Sequence, residues 1–131
     1  MEENRHFYQQ EDSPLRTKSY AFAVRIVKMV KFLLRDRQMA DIYRQVLRSG
    51  TSIGANVRES EYAQSAQDFV AKLYISLKEA NETDYWLNLL KDTDCISKEQ
   101  FDSIDKDCCE LRAMLVSSVK TAKTNMQVIV K

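Results

Sequence analysis

The sequence predicts an all-α domain, an up-and-down antiparallel bundle of four helices. Three observations carry this. The 131 residues include only Gly 2 and Pro 1, whereas sheets and loop-rich folds need turn residues about every ten positions. Four stretches repeat apolar residues at intervals of three and four, the spacing of one helix face. The segments between them are short, which places consecutive helices side by side. A chain of this length is one domain, and it buries enough surface to stand without disulfide or metal staples.

Residues 1–12 are polar and aperiodic and are expected to form a flexible tail, leaving residues 13–131 for the bundle. Ser13-Pro14 supplies an N-cap and a proline at the first helical position. The helix that follows runs to about Arg35. Its apolar arc is Leu15, Phe22, Ala23, Ile26, Val27, Val30, Leu33 and Leu34, and Lys18, Arg25, Lys28, Lys31 and Arg35 fill a second arc. The next helix covers about Met39 to Tyr62 on a stripe of Met39, Ile42, Tyr43, Val46, Ile53 and Val57. Gly50 and Gly54 lie beside that stripe. Each costs up to ~1 kcal/mol of helix propensity, so a neighbour is expected to come close there. Arg48, Ser52, Asn56 and Glu59 share another face, readable as solvated surface or as a hydrogen-bonding seam against a partner helix.

Ser65-Ala-Gln-Asp68 resembles a capping box and opens the third helix, which reaches about Lys91. Phe69, Leu73, Leu77, Ala80 and Leu87 form its main stripe. A second stripe, Ala71, Ile75, Trp86 and Leu89, lies on the far side, and a monomeric bundle has no use for it. Ile75, Trp86 and Leu89 are therefore the candidate oligomer interface. Asp84 falls within the main stripe, where burial without a partner is costly, so it is expected near the bundle's end, wet or paired with a lysine or arginine, ahead of the alternative of a buried carboxylate that fixes helix register. Ser97-Lys-Glu-Gln100 is a strict capping box and opens the fourth helix. Phe101, Ile104, Cys108, Leu111, Leu115, Val119, Ala122, Met126 and Ile129 make its heptad-like seam. At about 45 Å it is longer than the first helix, and its last turns are expected to project beyond the bundle.

Net charge is only +1, but it is unevenly spread. Nine bases oppose two acids between Arg16 and Arg48, a net of +7. Thirteen acids oppose five lysines between Glu59 and Glu110, a net of −8. The basic arc on the first helix, Lys18, Arg25, Lys28, Lys31 and Arg35, thus has three readings: a solvated face, a nucleic-acid footprint, or one half of a charge-complementary subunit contact.

His6 is the only histidine, so inward Glu-x-x-His metal pairs and histidine-based nucleophile activation have no material. Cys95, Cys108 and Cys109 are unsuitably spaced for zinc, and the chain has no glycine-rich phosphate loop. No catalytic residue, cofactor, metal or small-molecule substrate is predicted. Reduced thiols, a polar start and the lack of any apolar run near 20 residues predict a cytoplasmic protein with no membrane contact.

The run Arg48-Ser-Gly-Thr-Ser-Ile-Gly-Ala-Asn-Val-Arg-Glu59, then Ala63-Gln-Ser-Ala-Gln-Asp-Phe69, Ser76-Leu-Lys-Glu-Ala80 and Tyr85-Trp-Leu87, resembles the four-helix-bundle proteins of the ribosomal-RNA intervening-sequence family. The resemblance spans roughly Pro14 to Met126. It implies a small bacterial protein, an up-and-down bundle and a pentameric ring. A related branch, the accessory variability proteins of diversity-generating retroelements, binds nucleic acid and a reverse transcriptase. Position by position, Arg48, Ser52, Ile53, Ala55, Asn56 and Glu59 match the signature, with Phe69 and Glu79 following. Of these, Arg48, Ser52, Asn56, Glu59 and Glu79 are expected to serve structure or assembly. This chain departs from the strongly basic retroelement branch in being nearly neutral. The function expected is a non-enzymatic homo-oligomeric scaffold that presents a basic face to RNA, DNA or a nucleic-acid enzyme. The alternative is a purely structural or protein-interaction module.

Overall fold

The computed structural model describes residues 13–130, with side chains through Met126. The predicted tail, the side chain of Ile129 in the seam, and Lys131 lie outside what is described. Four helices follow one another: α1 (Pro14–Leu33), α2 (Ala40–Ser60), α3 (Ala66–Asp92) and α4 (Lys98–Val130), with one 3₁₀ turn, Arg37–Met39, before α2. Each packs mainly on its neighbour in sequence, and α1 closes on α4 more lightly.

The predicted starts have the chemistry expected of them. Ser13 Oγ accepts from Arg16 N, with Pro14 in the first turn. Ser65 Oγ accepts from Asp68 N, while Asp68 reaches back to Gln64 N rather than to Ser65. Ser97 and Gln100 exchange both capping-box bonds, at 3.0 and 2.8 Å. The Asp36 side chain accepts from Gln38 N, which starts the 3₁₀ turn. It makes a separate short element of Met39, where the apolar spacing alone had begun the second helix.

The core contains Phe22, Ile26, Val30, Tyr43, Val46, Ile53, Leu73, Leu87, Leu111 and Leu115. Two glycines set the α1–α2 distance. A Cβ on Gly50 would stand 2.9 Å from two atoms of Ile26, and one on Gly54 would stand 3.2 Å from the backbone oxygen of Ser19. The expected close neighbour is therefore α1, by side chain at one glycine and by backbone at the other.

Several inward positions differ from the apolar wheel. Val27 is exposed, and Ala23 and Leu34 are only half-buried, whereas Ser19 is buried. Ser19 Oγ donates to Arg16 O, so its hydroxyl carries its own partner inward. Through Met126, α4 remains against the bundle. Lys123 Nζ donates to Tyr74 OH at 2.6 Å, and Ala122 and Met126 pack on the core. α3 is long enough to accompany α4 that far, so the expected overhang does not begin within the described side chains. Asp84 is half-buried with Arg112 Nη1 3.6 Å away, the basic partner that its place in the stripe demands.

Candidate functional site

The basic arc of α1 is divided by its contact with α4. Lys18 Nζ lies 3.6 Å from Glu110. Arg25 Nη1 pairs with Asp107 at 2.5 Å and donates to Ser103 O, while Nη2 donates to Ser103 Oγ. Two of the five predicted nucleic-acid contacts thus meet the acidic stretch of their own chain. Lys28 lines a groove with Phe32, Leu33 and Ile96. Lys31 is exposed, and the Arg35 guanidinium sits 5.1 Å from the Phe32 ring centroid.

The residues Arg48, Ser52, Asn56, Glu59 and Glu79 lie along the edge where α2 meets α3. Arg48 donates to both oxygens of Glu79 at 3.3 Å and to Glu82, whose Oε2 also accepts Trp86 Nε1 at 3.1 Å. Desolvation works against the guanidinium charge, but the two carboxylates outweigh it and raise the pKa. Glu59 pairs with Lys72 at 3.5 Å. Ser52 and Asn56 turn back on α2, to Arg48 O and Ser52 O. Beneath this edge run buried hydroxyls. Ser76 Oγ donates to Ile53 O at 2.8 Å, and Thr83 Oγ1 to Ser49 Oγ at 2.9 Å. The seam partner is α3 of the same chain, reached directly by Arg48 and Glu59 and by the hydroxyls below.

Chemistry elsewhere is muted. Asp84, Asp105 and Cys109 bring three ligand atoms within 4.8 Å of one another, the grouping among the described residues that could hold a metal. Arg112 already stands beside Asp84. Burial, followed by the neighbouring Asp84, pushes the Asp105 carboxyl up to about 6, and its Oδ1 is buried without a hydrogen-bond partner. Burial pushes the Cys108 thiol up to about 12, where it donates to Ala80 O, and it raises the Cys109 thiol as well. Neither is an activated nucleophile.

Apolar surface is concentrated elsewhere. Of the predicted interface stripe, Ile75 is exposed, whereas Trp86 and Leu89 are half-buried and Trp86 packs on the core. On the other side, Tyr20 (56% exposed), Val24 and Val27 run along α1, and Tyr62 (83% exposed) stands at the end of α2. Between them Ala23, Gly54 and Ala55 floor a groove of about 430 Å³, with Arg58 stacked 5.6 Å from the Tyr20 ring.

The model of the 23S rRNA-intervening sequence proteins matches residues 11–117. The chain belongs to that family. A crystal structure of a protein with unknown function, from the S23 ribosomal protein family of Bacteroides thetaiotaomicron, is 53% identical. It superposes with a TM-score of 0.79, over 81% of this chain and 98% of that one. Among curated proteins there is no match. No helix among the described residues is long and apolar enough to cross a membrane.

In this intervening-sequence protein, sequence reasoning missed the buried hydroxyls Ser19, Ser49, Ser60, Ser76 and Thr83. Their signal was present: Ser49 and Ser60 keep helical step with Val46, Ile53 and Val57. An apolar wheel discards them because it counts hydroxyls as outward. It missed Tyr20 and Tyr62 as groove walls because the groove exists only once Gly54 has brought α1 against α2.

Proposed function

We propose that this protein is a non-enzymatic helical scaffold that acts as a homo-oligomer, with the α1–α2 groove as its docking face. The observation that carries this is the exposed run Tyr20, Val24 and Val27 beside a groove floored by small residues. Exposed aromatic anchors next to a shallow apolar pocket are what the centre of a protein interface is made of. Ile75, exposed on α3 rather than on α1 or α2, gives a second and different apolar edge, and two unlike edges suit a head-to-tail contact that closes into a ring. Five subunits are what the family resemblance implies. The raised thiol pKa values of Cys108 and Cys109 support a role without thiol catalysis.

Light scattering tests this. The wild type is expected at a multiple of 15.3 kDa, and Val24→Glu combined with Val27→Glu is expected at one subunit. Ile75→Glu, on the other edge, is expected to do the same. A double variant that keeps the wild-type mass sinks the docking face.

A second reading places nucleic acid or a nucleic-acid enzyme on α1, as a kinship with the retroelement accessory proteins would imply. It is favoured by Lys28, Lys31 and Arg35, which have no carboxylate within ion-pair distance among the described residues. RNA binding that weakens when those three are neutralised is the outcome it requires.

A further inference from the structure

We propose that the outer groove between α3 and α4 binds the backbone of single-stranded nucleic acid. The proposal rests on neither the docking face nor the basic arc of α1, and starts from a charge pattern in the last helix. From Leu111 to the end the chain has four bases and no acid. The +7 stretch from Arg16 to Arg48 spends Lys18 and Arg25 on α4, but those pairs use the first half of α4. Among the described residues the second half has no such partner, because α1 is too short to accompany it.

Lys120 and Arg112 line a groove of about 700 Å³ together with Asn81 on α3 and with Ser117 and Thr121. Lys120 is exposed, with no carboxylate within ion-pair distance among the described residues. Lys123, one turn further, donates to Tyr74 OH and lies 4.7 Å from that ring's centroid, so it meets an aromatic rather than an acid. Lys78 is exposed on α3 one turn from both Tyr74 and Asn81, on the same face. The groove holds Lys120 with hydroxyl and amide donors, and beside it on α3 and α4 stand Lys78, Lys123 and the exposed ring of Tyr74, the three lysines having no carboxylate within ion-pair distance among the described residues. Cations that follow a backbone beside a ring on which a base can stack are the two elements of sequence-tolerant single-strand binding. The described bundle offers no projecting helix to enter a duplex major groove, which favours the single strand. Arg112 is shared with Asp84, which makes it a boundary of the path: beyond it lie the carboxyls of Asp84 and Asp105.

The test is fluorescence anisotropy of the full chain with a labelled oligouridylate of 20 nucleotides across a salt series. Wild type is expected to bind at low salt and to weaken steeply as salt rises. Replacing Lys78, Lys120 and Lys123 with Gln is expected to lower affinity at least tenfold at about 50 mM salt. The log–log salt slope should fall by about 2, near 0.7 for each lost phosphate contact on a single strand. Lys120→Gln alone, at a site with no packing role, should lower it by about 0.7 and guards against a triple variant that misfolds. Tyr74→Leu should cost about tenfold without changing the slope, the signature of lost stacking. Lys18→Gln with Arg25→Gln should leave binding as it is. Three results would overturn the proposal: no salt-dependent binding by the wild type, a triple variant with unchanged affinity and slope, or polyglutamate displacing the oligonucleotide as well as unlabelled RNA does. The last would point to an acidic protein partner. Subunit number, read by light scattering on the same samples, should not change with the triple variant, so failure here is separable from failure of the scaffold reading.

Discussion

Gly50 shows how a single residue sets the distance between two helices. Alanine there gains up to ~1 kcal/mol of helix propensity but drives a methyl into Ile26, and overpacking a tight core costs ~1–3 kcal/mol. Gly50→Ala should therefore lose about 1–2 kcal/mol in urea melts, and should lose less in an Ile26→Ala background, where both γ carbons that the new methyl meets are gone. Asp105 gives a second prediction, on pH. Its carboxyl is raised to about 6, from an ordinary carboxylate value near 4, by burial and by Asp84. A raised acid favours folding while it is protonated, and that contribution is lost as pH rises through the folded value. Asp105→Asn should therefore raise the melting temperature relative to wild type at pH 8, and the gain should vanish below about pH 4. An equal gain at both pH values would show that the titration of Asp105 has no part. Both glycines could be picked out in the sequence, because no helix keeps two of them four apart without a neighbour. Asp105 could not: nothing along the chain says that α3 will set Asp84 against it.

The helices were legible in their starts and seams and less so in their ends. Ser13, Ser65 and Ser97 each stand before an apolar run, and each accepts the backbone bond its position calls for. The end of α3 carries no such signal. There Cys95 N donates to Leu90 O and Asp94 N to Lys91 O, with Asp94 at φ 63°. This is the paired closure that ordinarily has glycine at the left-handed position, and aspartate fills it here. Its side chain tolerates that conformation better than most, which is why the turn forms, but the Cβ still meets strain. Asp94→Gly should stabilise the fold by about 0.5–1 kcal/mol, read as a higher denaturant midpoint at unchanged slope. Loss of stability would mean that the aspartate side chain does more for this turn than tolerate it.

For the molecule as a whole, the segregation of charge was visible in the sequence and its consequence was not. Composition counts bases and acids but gives no pairing geometry. The antiparallel order lays α1 along the first half of α4, and the lightest of the consecutive-and-closing helix contacts is the one joined by Arg25 and Lys18. Arg25 holds three acceptors on two residues, Ser103 and Asp107, and both members of its ion pair are about 40% exposed. Exposed pairs contribute ~0.2–1 kcal/mol, and the two added hydrogen bonds place this one at the upper end. Arg25→Ala should therefore cost about 1 kcal/mol at low salt and clearly less at 1 M salt, where the screening length falls to about 3 Å. The loss should be local as well. Amide exchange should quicken along α1, while α2 and α3, fastened by Ser76 to Ile53 and by Thr83 to Ser49, keep the wild-type rate. A uniform increase over all four helices would instead make α1 an inseparable part of one cooperative unit, and the light α1–α4 contact would then have no separate bearing on the stability of the bundle.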